Sequence, residues 1–122
     1  IIIKNDKEEY LLIKRNNEPK KGEWCVIGGR VLKGETAKKA AIRKIKQETG
    51  LQVREIELIG FFELVNGENP FGLPFKYHTI SVVFMAIADD YQKINLDDQS
   101  TDFKFSKELP KDFNIQAFNG VV

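Results

Sequence analysis

The chain has 122 residues, of which 42% are hydrophobic and 30% are charged. This size and composition are typical of a single globular domain with its own core. Lys and Arg number 19 and Asp and Glu number 18, which gives a net charge of +1. No overall field therefore directs the chain to nucleic acid or to an anionic membrane, and we expect neither as a partner.

Cysteine usage and hydropathy predict the compartment. The single cysteine, Cys25, excludes an internal disulfide and fits a reducing compartment. No apolar stretch reaches the roughly 20 residues of a membrane span, and no signal-peptide pattern precedes the first strand. We expect one cytoplasmic domain over residues 1–122, with further residues allowed at both ends because the sequence starts at Ile1 without Met. The sequence does not decide whether two copies of the chain form a homodimer.

The N-terminal third predicts a hairpin and then a basic loop. Two β-branched or aliphatic runs, 1–4 and 9–15, flank the turn-forming residues 5–8 and predict a β-hairpin. The polar segment 16–22 follows and predicts a loop, with Lys and Arg on and beside it.

A glycine pair then marks a candidate ligand site. Residues 24–27 predict a short apolar strand that leads into Gly28 and Gly29. Glycines let a phosphate or a metal approach the main chain closely. Arg30 follows at once, and its guanidinium suits bidentate phosphate binding.

One helix is strongly predicted. Thr36 is an N-cap residue, residues 37–49 contain no Gly or Pro, and Gly50 stands where a left-handed C-terminal cap belongs. Glu48 falls within the apolar arc of this helix, where a carboxylate needs a partner. An ion pair with Lys44 at i−4 is one such partner.

Two strands and a loop rich in Gly and Pro follow. Residues 53–64 predict a strand with a bulge or bend at Gly60, and residues 75–88 predict a long strand whose second part is covered on both faces. The loop between them carries Phe71, which can stack on a nucleobase, although packing is the commoner role. His78 lies within the second strand, where a structural histidine is more common than a catalytic one.

The C-terminal third predicts a polar segment, 89–101, then a short edge strand around residues 103–105, and a helix beginning near residue 109. Strands combined with one strong helix predict an α+β fold.

The stretch after the glycine pair carries a recognisable motif. Its fixed positions are Gly29, Glu35, Arg43, Ile45, Glu48, Gly50 and Leu51. In this spacing it resembles the Nudix box, G-x5-E-x7-R-E-U-x-E-E-x-G-U, where U is aliphatic. The resemblance implies a Nudix-type α/β/α sandwich around a mixed β-sheet, and Mg²⁺, or Mn²⁺, held by glutamates against a pyrophosphate.

The chain departs from the box at two positions. Lys44 and Gln47 stand where the family usually has glutamates, which removes two negative charges and adds a positive one. Because hard divalent cations prefer oxygen ligands, we expect one metal at most.

One Nudix branch, the GDP-mannose mannosyl hydrolases, also lacks those glutamates, and residues 11–24 and 96–103 are similar to it. In that branch a glycine carbonyl, the last glutamate of the box and a distant glutamine hold a single metal. The similarity implies Gly28 or Gly29, Glu48 and Gln99 as the ligands. It also implies that Arg15 contacts the nucleotide diphosphate of the substrate.

The resemblance leaves the catalytic groups partly open. Three arginines could together neutralise a departing nucleoside diphosphate: Arg15, Arg30 and Arg43. For Arg43 a salt bridge that orients Glu35 or Glu48 is an equal alternative. Ser100 stands where the branch has a histidine and cannot act as a general base at neutral pH. Asp98 and His78 are weak candidates for that role.

Three functions follow from these residues. The first is hydrolysis of a nucleoside-diphosphate sugar, with water attacking the anomeric carbon. The second is a pyrophosphohydrolase that attacks phosphorus, for which further carboxylates such as Glu63 or Asp98 would be recruited. The third is a binding protein that has lost catalysis, in which Lys44 takes the place of a metal beside Glu48.

Overall fold

A computed structural model describes residues 1–18, 20–69 and 72–118. Phe71, a predicted substrate contact, lies outside the described residues. A short 3₁₀ turn spans Tyr91–Lys93. The helix and strands, in chain order, are β1 (Ile2–Ile3), β2 (Tyr10–Arg15), β3 (Trp24–Cys25), α1 (Ala37–Thr49), β4 (Val53–Gly67), β5 (Tyr77–Ala88), β6 (Ser100–Ser106) and β7 (Gln116–Ala117).

The strands form two sheets. The first has the order β1-β5-β4-β7 and is mixed, because β1 runs parallel to β5 while β4 runs antiparallel to β5 and β7. The second has the order β3-β2-β6 and is antiparallel, with β6 at an edge as predicted. The α+β class and the mixed sheet are therefore confirmed. Within the described ranges α1 is the single α-helix, so no second helical layer completes a sandwich there.

Helix α1 begins and ends where its caps predict. The Thr36 side chain accepts a hydrogen bond from the Lys39 amide at 3.2 Å. At the other end Gly50 adopts φ 71°, a left-handed conformation that costs glycine little. Ile45 on this helix packs with Leu11, Ile13 and Ala86 in the main core cluster. The helix is thereby fixed against both sheets.

The predicted N-terminal hairpin is wrong. A turn does form, since the Asn5 amide donates to the Glu9 carbonyl at 2.9 Å, but β1 and β2 share only the isolated bridge between Lys4 and Tyr10 among the described residues. Strand β1 instead pairs with β5. Ile2 and Ile3 are both buried, each in a different core cluster, so this edge strand is covered on both faces where it pairs with β5.

The prediction that the second part of β5 is covered on both faces is confirmed only towards the C-terminal end of the strand. Val83, Phe84, Ala86 and Ala88 are buried, whereas Ile80 and Val82 are 67% and 49% exposed. The N-terminal half of the strand therefore extends beyond the core. The predicted bulge is confirmed, because the β4–β5 register shifts between Leu58 and Gly60. An added Cβ at Gly60 would clash with the Gln116 carbonyl, so this glycine lets β7 approach.

The predicted C-terminal helix is wrong over residues 109–118. This segment packs Leu109, Phe113 and Ile115 onto the second core cluster and then forms β7. The spacing of its apolar residues is compatible with a helix and equally with an irregular segment that packs across β4. Tertiary packing selects the irregular segment. No helix among the described residues is long and apolar enough to cross a membrane.

Candidate functional site

The site is centred on the last turns of α1. Ala41 and Ile45 point into the core, and Glu48 follows on the same side with only 5% of its surface exposed. The predicted inward orientation of this carboxylate is confirmed. A buried carboxylate is costly unless a cation or hydrogen-bond donors satisfy it, so its neighbours decide what the site can do.

Lys44 is the nearest cation to this carboxylate. Its Nζ lies 3.4 Å from Glu48 Oε2, and its side chain is 14% exposed. The predicted ion pair is confirmed. The aliphatic stem of Lys44 runs against Gly29, where an added Cβ would lie 2.7 Å from Cε. Gly29 is therefore required for a close approach: its missing side chain leaves the space that Lys44 fills.

The electrostatics of Glu48 reflect this setting. Burial raises the pKa of the Glu48 carboxyl, the Lys44 ammonium acts in the opposite direction, and the Asp97 carboxylate adds to the rise. Oε2 of Glu48 has no hydrogen-bond partner within the described part of the chain. At 3.4 Å the lysine forms an ion pair with it rather than a well-formed hydrogen bond.

The segment 95–99 closes the site from the other side. The Asn95 amide donates to the Thr49 carbonyl at 2.7 Å, and the Asp97 amide donates to the Glu48 carbonyl at 3.3 Å. Gln99 donates from its amide and from Nε2 to the Asp97 carboxylate, at 3.0 and 3.3 Å. Asp97 thus stands between Glu48 and Gln99. The sequence analysis missed it because Asp98 is equally acidic.

Asn16 fixes this segment to the end of β2. Its amide donates to the Gln99 carbonyl at 3.0 Å, and its Nδ2 donates to the Asp98 carbonyl at 2.9 Å. Asp98 itself is exposed. Ser100 is 7% exposed, and its Oγ lacks a hydrogen-bond partner among the described residues.

Arg43 organises the loop between the glycine pair and α1. Its Nη2 and Nε donate to the Glu35 carboxylate at 2.7 and 3.2 Å. Further bonds run to the Arg30 carbonyl at 3.0 Å and to Gln47 Oε1 at 3.3 Å. Glu35 also accepts from the Leu32 amide at 2.8 Å. Of the two predicted roles for Arg43, these contacts favour the salt bridge to Glu35.

The charge on Glu35 agrees with that role. The Arg43 guanidinium, and next the Leu32 amide, hold the pKa of the Glu35 carboxyl below its ordinary value. Glu35 therefore stays ionised and keeps the loop closed. Arg43 is better described as a positioning residue than as a contact to a leaving group.

Two adjoining clefts open beside these groups. The smaller, about 170 Å³, is lined by Gly28, Gly29, Arg30 and Lys44. The larger, about 390 Å³, is lined by Arg15, Trp24 and Cys25. The clefts share three lining residues: Val26, Phe62 and Phe113.

The aromatic boundary between the clefts was missed from the sequence. Phe62 on β4 and Phe113 near the C-terminus stack with ring centroids 5.2 Å apart. They lie 51 residues apart in the sequence, so no local pattern relates them. Burial raises the pKa of the Cys25 thiol, with Arg15 acting in the opposite direction. Arg15 therefore faces the same cleft as Cys25, next to the aromatic pair.

His78 is placed elsewhere. It lies on β5, where its Nε2 pairs with the Glu63 carboxylate of β4. Both side chains are about half exposed, 53% and 43%. Neither residue lines the two clefts described above. The structure thus brings Arg15, Arg30, Glu48 and Gln99 to one region and keeps His78 apart from it.

A divalent cation can be tested against this donor set. Within residues 1–18, 20–69 and 72–118 no group of three or more His, Cys, Asp or Glu side chains could hold a metal. A cluster of ions therefore does not fit. A single cation does fit at Glu48, because Oε2 is a buried acceptor without a hydrogen bond, but Lys44 stands close to that oxygen.

Comparisons with known sequences agree on one family. A model of the NUDIX domain matches residues 1–113. An ADP-ribose pyrophosphatase of Methanocaldococcus jannaschii is 37% identical over 111 residues, 90% of this chain and 62% of that protein. The low-salt glycan biosynthesis protein Agl8 of Haloferax volcanii is 33% identical over 95 residues, 77% of this chain and 60% of that protein. The chain spans about three fifths of the length of these two relatives.

Solved structures show the same fold. A MutT NUDIX hydrolase from Burkholderia pseudomallei superposes with a TM-score of 0.71 at 21% identity, covering 93% of this chain and 88% of that one. The NUDIX domain of Shewanella oneidensis NrtR, complexed with ADP ribose, gives a TM-score of 0.67 at 22% identity, covering 86% and 68%. At such identities the likeness concerns architecture alone.

Arg43→Lys tests the loop assignment. An ammonium cannot form the two-pronged bond to Glu35 and reach the Arg30 carbonyl at once. We expect hydrogen exchange of the Leu32 amide, followed by NMR, to become roughly tenfold faster. Lys38→Ala, an exposed change on the same helix, should leave it unchanged. An unaltered Leu32 rate in Arg43→Lys would show that the guanidinium does not hold the loop.

Proposed function

The chain belongs to the Nudix family, and from this premise we propose that it hydrolyses a nucleoside-diphosphate sugar. Two comparisons support this substrate class. The relative from M. jannaschii is named for ADP-ribose, a nucleoside diphosphate joined to a sugar, although through the C5 oxygen of that ribose and not through its anomeric carbon. The relative from H. volcanii is named for glycan biosynthesis, a process that consumes activated sugars.

The clefts suggest how such a substrate lies. Its diphosphate would bind at Gly28 and Gly29, where exposed main chain and the Arg30 guanidinium line the smaller cleft. Its nucleoside would extend past Phe113 into the larger cleft, whose volume of about 390 Å³ suits a base and a ribose. Arg15 lines that larger cleft and could contact the same diphosphate from the opposite side.

The choice between the two reactions rests on Glu48, the inward carboxylate of the box. Glu48 is the only glutamate left of three positions, and Lys44 and Gln47 occupy the other two. Attack at carbon asks less of metal ions than attack at phosphorus, because a nucleoside diphosphate is already a stable leaving group. We therefore favour attack of water at the anomeric carbon of the sugar.

The bond changes are simple. The water oxygen bonds to the anomeric carbon, the bond from that carbon to the diphosphate oxygen breaks, and the nucleoside diphosphate departs with the electron pair. Arg30 and Arg15 would stabilise its growing negative charge. Asp98, exposed beside Gln99, is our candidate to accept the proton from water.

Nudix hydrolases generally use divalent metals, and Mg²⁺ is our proposed cofactor. Glu48, the Gln99 amide and a main-chain carbonyl of Gly28 or Gly29 would hold it. When bound, it supplies additional positive charge beside the diphosphate. The side-chain amide of Gln99 donates to the Asp97 carboxylate in the structure. Gln99 would have to give up this hydrogen bond to bind the metal.

A second candidate is hydrolysis at phosphorus. It is favoured by the pyrophosphatase name of the relative that shares 37% identity over 90% of this chain. This reaction would require a further carboxylate near Glu48. Asp97 is our candidate for this carboxylate, since its amide bonds to the Glu48 carbonyl and its charge raises the pKa of Glu48.

Glu48→Gln tests the site. The amide keeps the size of the side chain but removes its charge, so we expect kcat/KM for nucleoside-diphosphate sugars to fall by about 100-fold or more. Circular dichroism should show an unchanged fold. Glu57→Gln, an exposed change on β4, serves as the control. Full activity in Glu48→Gln would remove this carboxylate from the mechanism, and a wild type without turnover in any sugar-nucleotide assay would favour a binding role.

Oxygen-18 water separates the two reactions. Attack at carbon should place the label in the free sugar, whereas attack at phosphorus places it in a phosphate of the product. We expect mass spectrometry to find the label in the sugar after a single turnover. Label confined to phosphate would assign the chain to the pyrophosphohydrolases.

A further inference from the structure

We propose that the Lys44 ammonium is the resident positive charge of the Glu48 site, and that a divalent ion binds there only by displacing it. The assignment of a biological role to this competition rests on the proposed function. The competition itself concerns binding alone, and it can be measured without substrate.

Lys44 is placed by packing and is not a freely moving surface lysine. Its stem fills the space that the missing side chain of Gly29 leaves, with an ideal Cβ at that position only 2.7–2.9 Å from Cε, Cδ and Cγ. Its side chain is 14% exposed although most lysines are solvated. The helix and the glycine turn together direct this ammonium inward.

The position of the ammonium coincides with the position that a cation would need. Nζ lies 3.4 Å from Oε2 of Glu48, the same buried oxygen that has no hydrogen bond within the described residues. Two cations cannot share one carboxylate oxygen at this range without strong repulsion. A metal at Glu48 therefore requires Lys44 to move.

A displaced Lys44 ammonium could occupy the smaller cleft. It lines the smaller cleft together with Gly28, Gly29 and Arg30, the place proposed above for the diphosphate. An ammonium moved away from Glu48 would remain beside the substrate and pair with a phosphate oxygen. The lysine would then help bind the substrate in both arrangements, by filling the place of a metal or by contacting the phosphate.

The test is Mn²⁺ binding to the protein without nucleotide, followed by the electron paramagnetic resonance signal of free Mn²⁺. Removing a positive charge adjacent to the metal should tighten binding by about tenfold or more in Lys44→Met and in Lys44→Gln. Lys46→Met, an exposed change two residues along the helix, should bind like the wild type. Adding Glu48→Gln to either Lys44 variant should abolish the gain.

Wild-type affinity in both Lys44 variants would overturn the inference, and so would a gain that survives Glu48→Gln. If Lys44→Met does not fold, Lys44→Gln decides, because its amide can still donate to Glu48. The wild type provides an independent readout by NMR after reductive methylation places ¹³C-methyl groups on its lysines. Adding Mg²⁺ should shift the signal of a buried lysine. The absence of a shift would count against displacement of Lys44. Loss of the proposed hydrolysis would not affect either measurement.

Discussion

The contact between Lys44 and Glu48 beneath Gly29 is the interaction on which the site depends. It brings together a buried carboxylate, a mostly buried ammonium and a glycine whose missing side chain leaves room for the aliphatic stem of Lys44. A buried ion pair of this kind adds little net stability, because each charge loses its hydration, but removing one partner leaves an uncompensated charge. Such a pair is better explained by function at the site than by stability of the fold.

Around this pair the chain builds its site from separate segments. Arg43 and Glu35 close the loop that carries Arg30. On the opposite side the segment 95–99 is attached to the end of α1 through Asn95 and to β2 through Asn16. The result is a hydrogen-bonded frame on both sides of Lys44 and Glu48, adjoining a cleft lined by Phe62 and Phe113. This arrangement fits the nucleoside-diphosphate sugar that we propose as the substrate.

Local patterns predicted the parts that depend on local physics. The caps of α1, the inward position of Glu48 and its ion pair all follow from spacing along one helix, where residues three and four apart are neighbours. The resemblance of residues 29–51 to the Nudix box also implied the mixed sheet, although not from local physics alone. The bulge at Gly60 follows from a single residue.

Features that depend on distant partners could not be predicted in this way. The pairing of β1 with β5 is decided by the burial of Ile2 and Ile3 in two clusters, which a turn sequence does not reveal. Phe62 and Phe113 meet only in the folded chain. Asp97 and Asp98 differ in role because one bonds to Gln99 and contacts the end of α1, a distinction that two adjacent acidic residues do not show.

The most direct test of this account is anomalous diffraction from a crystal soaked with Mn²⁺. We predict one Mn²⁺ peak, in contact with a Glu48 carboxylate oxygen, with the Lys44 ammonium turned away from that oxygen towards the cleft of Gly28 and Arg30. Two or more Mn²⁺ peaks along the helix, or one peak at Glu48 with Lys44 unmoved, would contradict it.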